Sequence, residues 1–296
     1  MADGAVPGGP RRRRPQAARV SPERLAAEHG SAEEGLAWLG REPETRASNL
    51  YRALRLFVRV MLVGVFRFRI ETSGQEHIPA GGYLLVGATH RGWMDPLLVL
   101  HALPLEPRSW FLGSAATAFS SRARERFLRR LGGTLPVWRG GVGVEQHVAS
   151  ARAVLRNGGV FVVFPEGGIL GPSERISTFR IGAGLIALRT GAPILPFVMV
   201  GTRELYIGRR MASRILPVTS ARALLGDEWD GTAPPPGARD ELELARQVTE
   251  RLEALLGPEV EALYPLTVDP PDRPRRFRGL TWLLLKRTAR DAADEA

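Results

Sequence analysis

Apolar and polar positions along the chain switch between a helical period and a strand period, and the switches mark the elements. Residues 44–66 carry a helical pattern. Arg52, Arg55 and Arg59 recur at i, i+3 and i+7 on one face, while Leu54, Phe57, Met61 and Val65 line another. The alternation Phe-Arg-Phe-Arg-Ile at 66–70 predicts a strand with one polar face. Short apolar runs then predict strands at 83–88, 109–112, 135–138, 160–164 and 194–200, with helices between them at 95–103, 115–131, 144–155 and 179–190. Asn157-Gly158-Gly159 supplies a helix stop. After a Pro-rich loop at 226–238, Asp240 and Glu243 have capping-box spacing for a helix at 240–256. Repeated strand–helix units imply an α/β fold, a largely parallel central sheet flanked by helices.

The ends differ from this middle. Residues 1–20 are basic and turn-rich, with Arg11–Arg14 and no apolar stretch, so they predict a disordered arm and not a secretory signal. An N-terminal helical region at 21–66, the main domain at 67–268 and a basic tail at 269–296 complete the division. The most apolar segment, 56–66, is interrupted by Arg59, whereas a bilayer-spanning helix needs about 20 predominantly apolar residues.

Composition narrows the function. Hydrophobic residues make up 44% of the 296, enough for an ordinary core, which excludes disorder of the whole chain. There is no cysteine, hence no disulfide framework, no Cys-ligated metal and no cysteine nucleophile. His29, His77, His101 and His147 show no metal-ligand spacing, so no metal or cofactor is expected. Of the 41 basic residues only Lys286 is lysine, and the formal net charge is +10. Such a charge suits nucleic acid or anionic lipid. No nucleic-acid module is recognisable. The 52/55/59 stripe, and Arg275-Arg276-Phe277-Arg278 ahead of Trp282-Leu283-Leu284-Leu285, favour an anionic membrane surface instead. The expected location is cytoplasmic, peripheral to the inner face of the cell membrane.

Three segments carry chemistry. In Thr89-His90-Arg91-Gly92-Trp93-Met94-Asp95-Pro96, His90 stands where a strand runs out, and Pro96 suits a first helical turn. One turn of chain lets Asp95 reach the imidazole, orient it and stabilise its protonated form. With no G-x-S-x-G elbow in the chain, the dyad suggests that the substrate brings the hydroxyl whose proton His90 removes. In Phe164-Pro165-Glu166-Gly167-Gly168, a second apolar strand ends in a turn. Glu166 could bind a hydroxyl or hold an arginine, and the glycines permit close backbone approach. In Gly132-Gly133-Thr134-Leu135-Pro136-Val137-Trp138-Arg139, an arginine past a strand suits a phosphate.

In this order the three segments resemble the glycerolipid acyltransferase superfamily, the lysophosphatidate and glycerol-3-phosphate acyltransferases, over about residues 65–205. His90 to Asp95 matches the family's His-x4-Asp block and Phe164 to Gly167 its Phe-Pro-Glu-Gly block. The stretch ending at Arg139 resembles its second motif, and Ala192-Pro193-Ile194-Leu195-Pro196 its fourth. The resemblance implies His90 as general base with Asp95 as partner, Arg139 on the acceptor's phosphate, and Glu166 and Gly167 shaping the glycerol site. Acyl-CoA or acyl carrier protein would donate and a lysophospholipid would accept. Two positions depart from the family: Gly168-Ile169 stands where many members have Thr or Ser and then Arg, and Arg91 follows the histidine where Asn, Gln or Ser is common. The alternatives are another acceptor (glycerol-3-phosphate or a different lysophospholipid) or a non-catalytic lipid-binding protein.

Gly182-Ala183-Gly184-Leu185-Ile186-Ala187 fits the dinucleotide pattern G-x-G-x-x-A, but the polar segment before it is no strand. Its small residues predict close helix packing instead.

Overall fold

The computed structural model describes residues 43–114, 119, 121–137, 143–167, 175–226, 229–232, 234, 236–270 and 275–277. The predicted arm at 1–20, most of the basic tail and Arg139 lie outside the described residues.

Seven strands form one sheet: β1 (Arg69–Ser73), β2 (Tyr83–Ala88), β3 (Ser109–Ser114), β4 (Thr134–Val137), β5 (Val160–Val163), β6 (Ile194–Val200) and β7 (Arg210–Ile215). Their order is β1-β7-β6-β2-β5-β3-β4, and every neighbouring pair is parallel except β6 with β7. The sheet is thus largely parallel, with β1 and β7, at one end of it, running against the other five. β2 and β6 match their predicted limits. β7 has no counterpart in the apolar pattern, because Arg-Met-Ala-Ser-Arg-Ile lacks an apolar run.

The sheet is buried on both faces. Leu84, Val86 and Ala88 of β2 belong to one apolar cluster, and Tyr83 and Leu85 to the other. This period-two partition explains why the central strands read as continuous apolar runs. The first face is covered by α4 (Gly143–Arg156), α5 (Gly182–Thr190), α6 (Ala221–Leu225) and α7 (Arg239–Leu263). The second is covered by α1 (Asn49–Arg59) and α2 (Asp95–Ala102). Helix α3 (Arg122–Leu131) joins β3 to β4.

Several boundaries move for identifiable reasons. Helix α1 starts at Asn49, where the Ser48 hydroxyl accepts from the Tyr51 amide at 3.2 Å. The residues ahead of it are used elsewhere: Thr45 O accepts from Arg108 N, and Glu44 O from the Trp110 indole. The helix continues as a π-helix, Val60–Val65, closed by Phe66 N on Met61 O and Phe68 N on Leu62 O, so β1 begins three residues later than predicted. Helix α5 begins after Phe179 and Arg180, whose amides bond the Glu253 carboxylate and Pro165 O. The expected capping box does not form. Glu243 pairs with Arg246, and Glu241 instead accepts from Gly237 N at 2.6 Å and binds Arg189 at 2.5 Å. Gly184 packs as anticipated, since a Cβ there would overlap Ala245 O of α7.

The stripe on α1 is less free than its sequence suggests. Tyr51, Val58 and Leu62 face the core, while Arg52 pairs with Glu106 at 2.7 Å and Arg55 donates to Leu103 O at 2.6 Å. Phe57 and Val65, on the apolar face, are exposed. Among the described residues no helix is long and apolar enough to cross a membrane.

Candidate active site

β2 and β5 are parallel neighbours, with Tyr83 opposite Val160 and Val86 opposite Val163. Their C-terminal ends therefore lie side by side, and both chemical segments begin there. β4 runs parallel two places beyond β5, so its end at Val137 reaches the same sheet edge.

The His90 Nδ1 and Asp95 Oδ2 atoms are 2.7 Å apart. Asp95 opens α2, with Pro96 at the first helical turn. The same Asp95 oxygen accepts from the backbone amides of Arg91 at 2.7 Å and Gly92 at 2.8 Å. The carboxylate is fully buried, whereas the imidazole keeps 15% exposure. Carboxylate contact at Nδ1 favours the tautomer with the proton there, which leaves Nε2 as the basic nitrogen. Nε2 has no hydrogen-bond partner among the described residues. Phe164 stacks on the ring at 4.4 Å between centroids and 13° between planes, limiting its rotation. Gly87 makes room for that phenyl ring, which a Cβ would meet at 2.9 Å.

Glu166 is buried, and both its oxygens are engaged. Oε1 accepts from the His90 amide at 3.0 Å. Oε2 accepts from Arg91 Nη1 at 2.5 Å and from the Ser177 amide at 3.2 Å. Of the two roles open to Glu166 in the sequence, holding an arginine is the one its geometry serves. Arg91 extends the link by donating to Arg175 O and to the Ser177 hydroxyl. A buried ion pair thus ties the His-x4-Asp segment, the Phe-Pro-Glu-Gly segment and residues 175–177 together. The departure at Arg91 is the centre of this network, a role that spacing alone could not reveal.

Gly167 adopts φ +77°, and a Cβ there would overlap the Arg180 guanidinium. Arg180 is exposed, is fixed by its amide on Pro165 O, and has no carboxylate partner among the described residues. No pattern in the chain points to it, since it stands thirteen residues after Gly167 in a polar segment. Pro193 leads into the sheet: Leu84 N bonds its carbonyl as β6 begins. No group of three or more Asp, Glu or His among the described residues could hold a metal ion.

The arrangement supplies a base with an oriented tautomer, a buried carboxylate behind it, and a cation beside the adjoining turn. Comparison with known proteins bears on the family and the fold. Residues 69–200 match the family model described as Acyltransferase. Uncharacterized proteins of Mycobacterium bovis and of two Mycobacterium tuberculosis strains are each 33% identical over 162 residues. That match covers 50% of this chain and 42% of each relative, so it spans less than half of their length. The crystal structure of the 1-acyl-sn-glycerophosphate (LPA) acyltransferase PlsC from Thermotoga maritima superposes with a TM-score of 0.53 at 18% identity, over 72% of this chain and 78% of that one. At that identity the likeness is one of fold.

Proposed function

We propose that the chain, whose residues 69–200 match the Acyltransferase family model, transfers a fatty acyl group from a thioester to a glycerol hydroxyl of lysophosphatidate. The donor is acyl-CoA or acyl carrier protein, and the enzyme works at an anionic membrane surface. The observation that carries this reading is the 2.7 Å contact of His90 Nδ1 with buried Asp95, made without a hydroxyl or thiol of the protein on Nε2 among the described residues.

His90 Nε2 takes the proton of the acceptor hydroxyl as its oxygen attacks the thioester carbonyl. The tetrahedral adduct collapses, the C–S bond breaks, and the departing thiolate receives the proton held by His90. Ester and free thiol are the products. Asp95 stabilises the imidazolium formed on the way. Glu166 fixes the His90 backbone and acts through it, so it is a positioning residue. Arg139, as the family resemblance implies, and Arg180 beside Gly167 are the cations assigned to the acceptor's phosphate.

Labelled acyl-CoA and labelled acyl carrier protein, each offered to lysophosphatidate, glycerol-3-phosphate and lysophosphatidylcholine, test the reading. Transfer is expected with the phosphomonoester acceptors, lysophosphatidate above all, and lost in His90→Ala. Absence of transfer to every acceptor by folded protein overturns it, and lipid binding that survives His90→Ala without any turnover identifies a non-catalytic lipid-binding protein.

A further inference from the structure

Helix α1 and its π-helical extension turn apolar side chains to solvent. Leu56 and Phe57 are 65% and 60% exposed, and Val60 and Val63 about half. A surface helix ordinarily shows water its polar face. Along one border of the apolar strip a cleft of about 460 Å³ opens between α1 and α2. Arg52, Arg55 and Arg59 give it positive charge, His101 and Gln75 add polar groups, and Leu56 forms part of its rim.

The three guanidiniums are not equivalent. Arg52 is paired with Glu106, and Arg55 is spent on the Leu103 and Pro104 carbonyls. Arg59 is exposed and has no carboxylate partner among the described residues. Burial, then the charges of Arg59 and Arg55, hold His101 below its ordinary pKa. Glu106 offsets only one of the three arginines.

We propose that this cleft seats the phosphate of an anionic membrane phospholipid, with Arg59 making the charge-assisted contact and Leu56, Phe57 and Val60 entering the acyl layer. The apolar border argues for a lipid, since a soluble anion gains nothing from it. Asp95 opens α2 and His101 lies in its last turn, six residues or about 9 Å along the axis. A headgroup in the cleft would therefore hold the His90 edge of the sheet near the lipid surface. The site is separate from the one proposed for acyl transfer, and its test reads no turnover.

Vesicle cosedimentation of the full chain decides it, using phosphatidylcholine mixed with phosphatidylglycerol. Arg59→Glu should weaken binding about tenfold or more at low salt. Arg239→Glu, the same charge change at the exposed start of α7, should weaken it less than about threefold. Leu56→Gln/Val60→Gln should cause a loss that persists at high salt, where the Arg59 effect fades. Equal losses from the two charge reversals would reduce the effect to net charge and overturn the cleft. Unchanged binding by the Leu56/Val60 variant would mean that the face is covered, for instance by residues 1–42, and would overturn the lipid contact. Retention of inorganic phosphate by the wild type and not by Arg59→Glu, with vesicles bound by neither, would make this a soluble-anion site and overturn the membrane assignment.

Discussion

The Arg91 guanidinium meets the Glu166 carboxylate at 2.5 Å with both side chains out of solvent. Removing one partner of such a pair leaves a buried charge uncompensated, at about 3–5 kcal/mol. Arg91→Ala is therefore expected to lose several kcal/mol in denaturant unfolding. The apolar double variant Arg91→Met/Glu166→Leu should recover much of that stability. Turnover should stay low in the double variant, because the His90 and Ser177 amides lose their acceptor. Recovery of both properties together would show that the pair does not position His90.

His90→Ala should abolish acyl transfer. Asp95→Asn should lower kcat by about two to four orders of magnitude, since a neutral amide no longer stabilises the imidazolium that forms. Circular dichroism should find that variant folded, because Asn keeps the shape and an oxygen for the Arg91 and Gly92 amides. Transfer should follow ternary-complex kinetics with both substrates varied; a trapped acyl-enzyme would contradict the mechanism.

Arg139→Ala and Arg180→Ala should each raise KM for lysophosphatidate with little change for an acceptor lacking phosphate. The loss of one charge-assisted contact corresponds to about 1.5–3 kcal/mol, or roughly tenfold to a hundredfold. The comparison uses a short-chain acceptor in detergent, so that vesicle binding does not enter. An unchanged preference between the two acceptors would remove the variant's arginine from the phosphate site.

Acid should destabilise the fold through two histidines outside the site. Burial lowers the pKa of His147, and burial with the Arg59 and Arg55 charges lowers that of His101. Between each folded value and the ordinary value of about 6.5, the unfolded chain binds more protons. Stability therefore falls as pH drops through that window. His147→Leu should shrink the fall in Tm between about pH 7.5 and about pH 5. A fall as large as in wild type would show that His147 titrates normally in the folded chain.

The central strands were legible because a doubly covered sheet demands unbroken apolar runs, as at 83–88 and 194–200. β7 was not, since its residues 210–215 carry arginines that pair outside the strand: Arg214 with Glu259 and Arg210 with Asp269. His90 and Asp95 could be found because a single turn joins them. The partners of Glu166 could not, because Arg91 lies 75 residues away along the chain and Ser177 on a segment without periodicity. The outward apolar face of α1 was half legible. Its amphipathic pattern was visible in sequence, but the side that meets the core depends on Tyr51, Val58 and Leu62 packing against α2 and the sheet.

β2 and β5 lie side by side although α2, β3, α3, β4 and α4 intervene in sequence. The chain leaves after His90, makes a long excursion along the sheet, and returns to deliver Glu166 beside its starting point. Length changes within that excursion need not disturb the register of β2 on β5, so they leave the catalytic spacing intact. Descendants of one ancestral enzyme could lengthen or trim residues 115–142 and inherit the same chemistry with a different choice of molecule. For anyone re-specifying the enzyme, the excursion is the part to exchange and the two adjoining strands the part to keep.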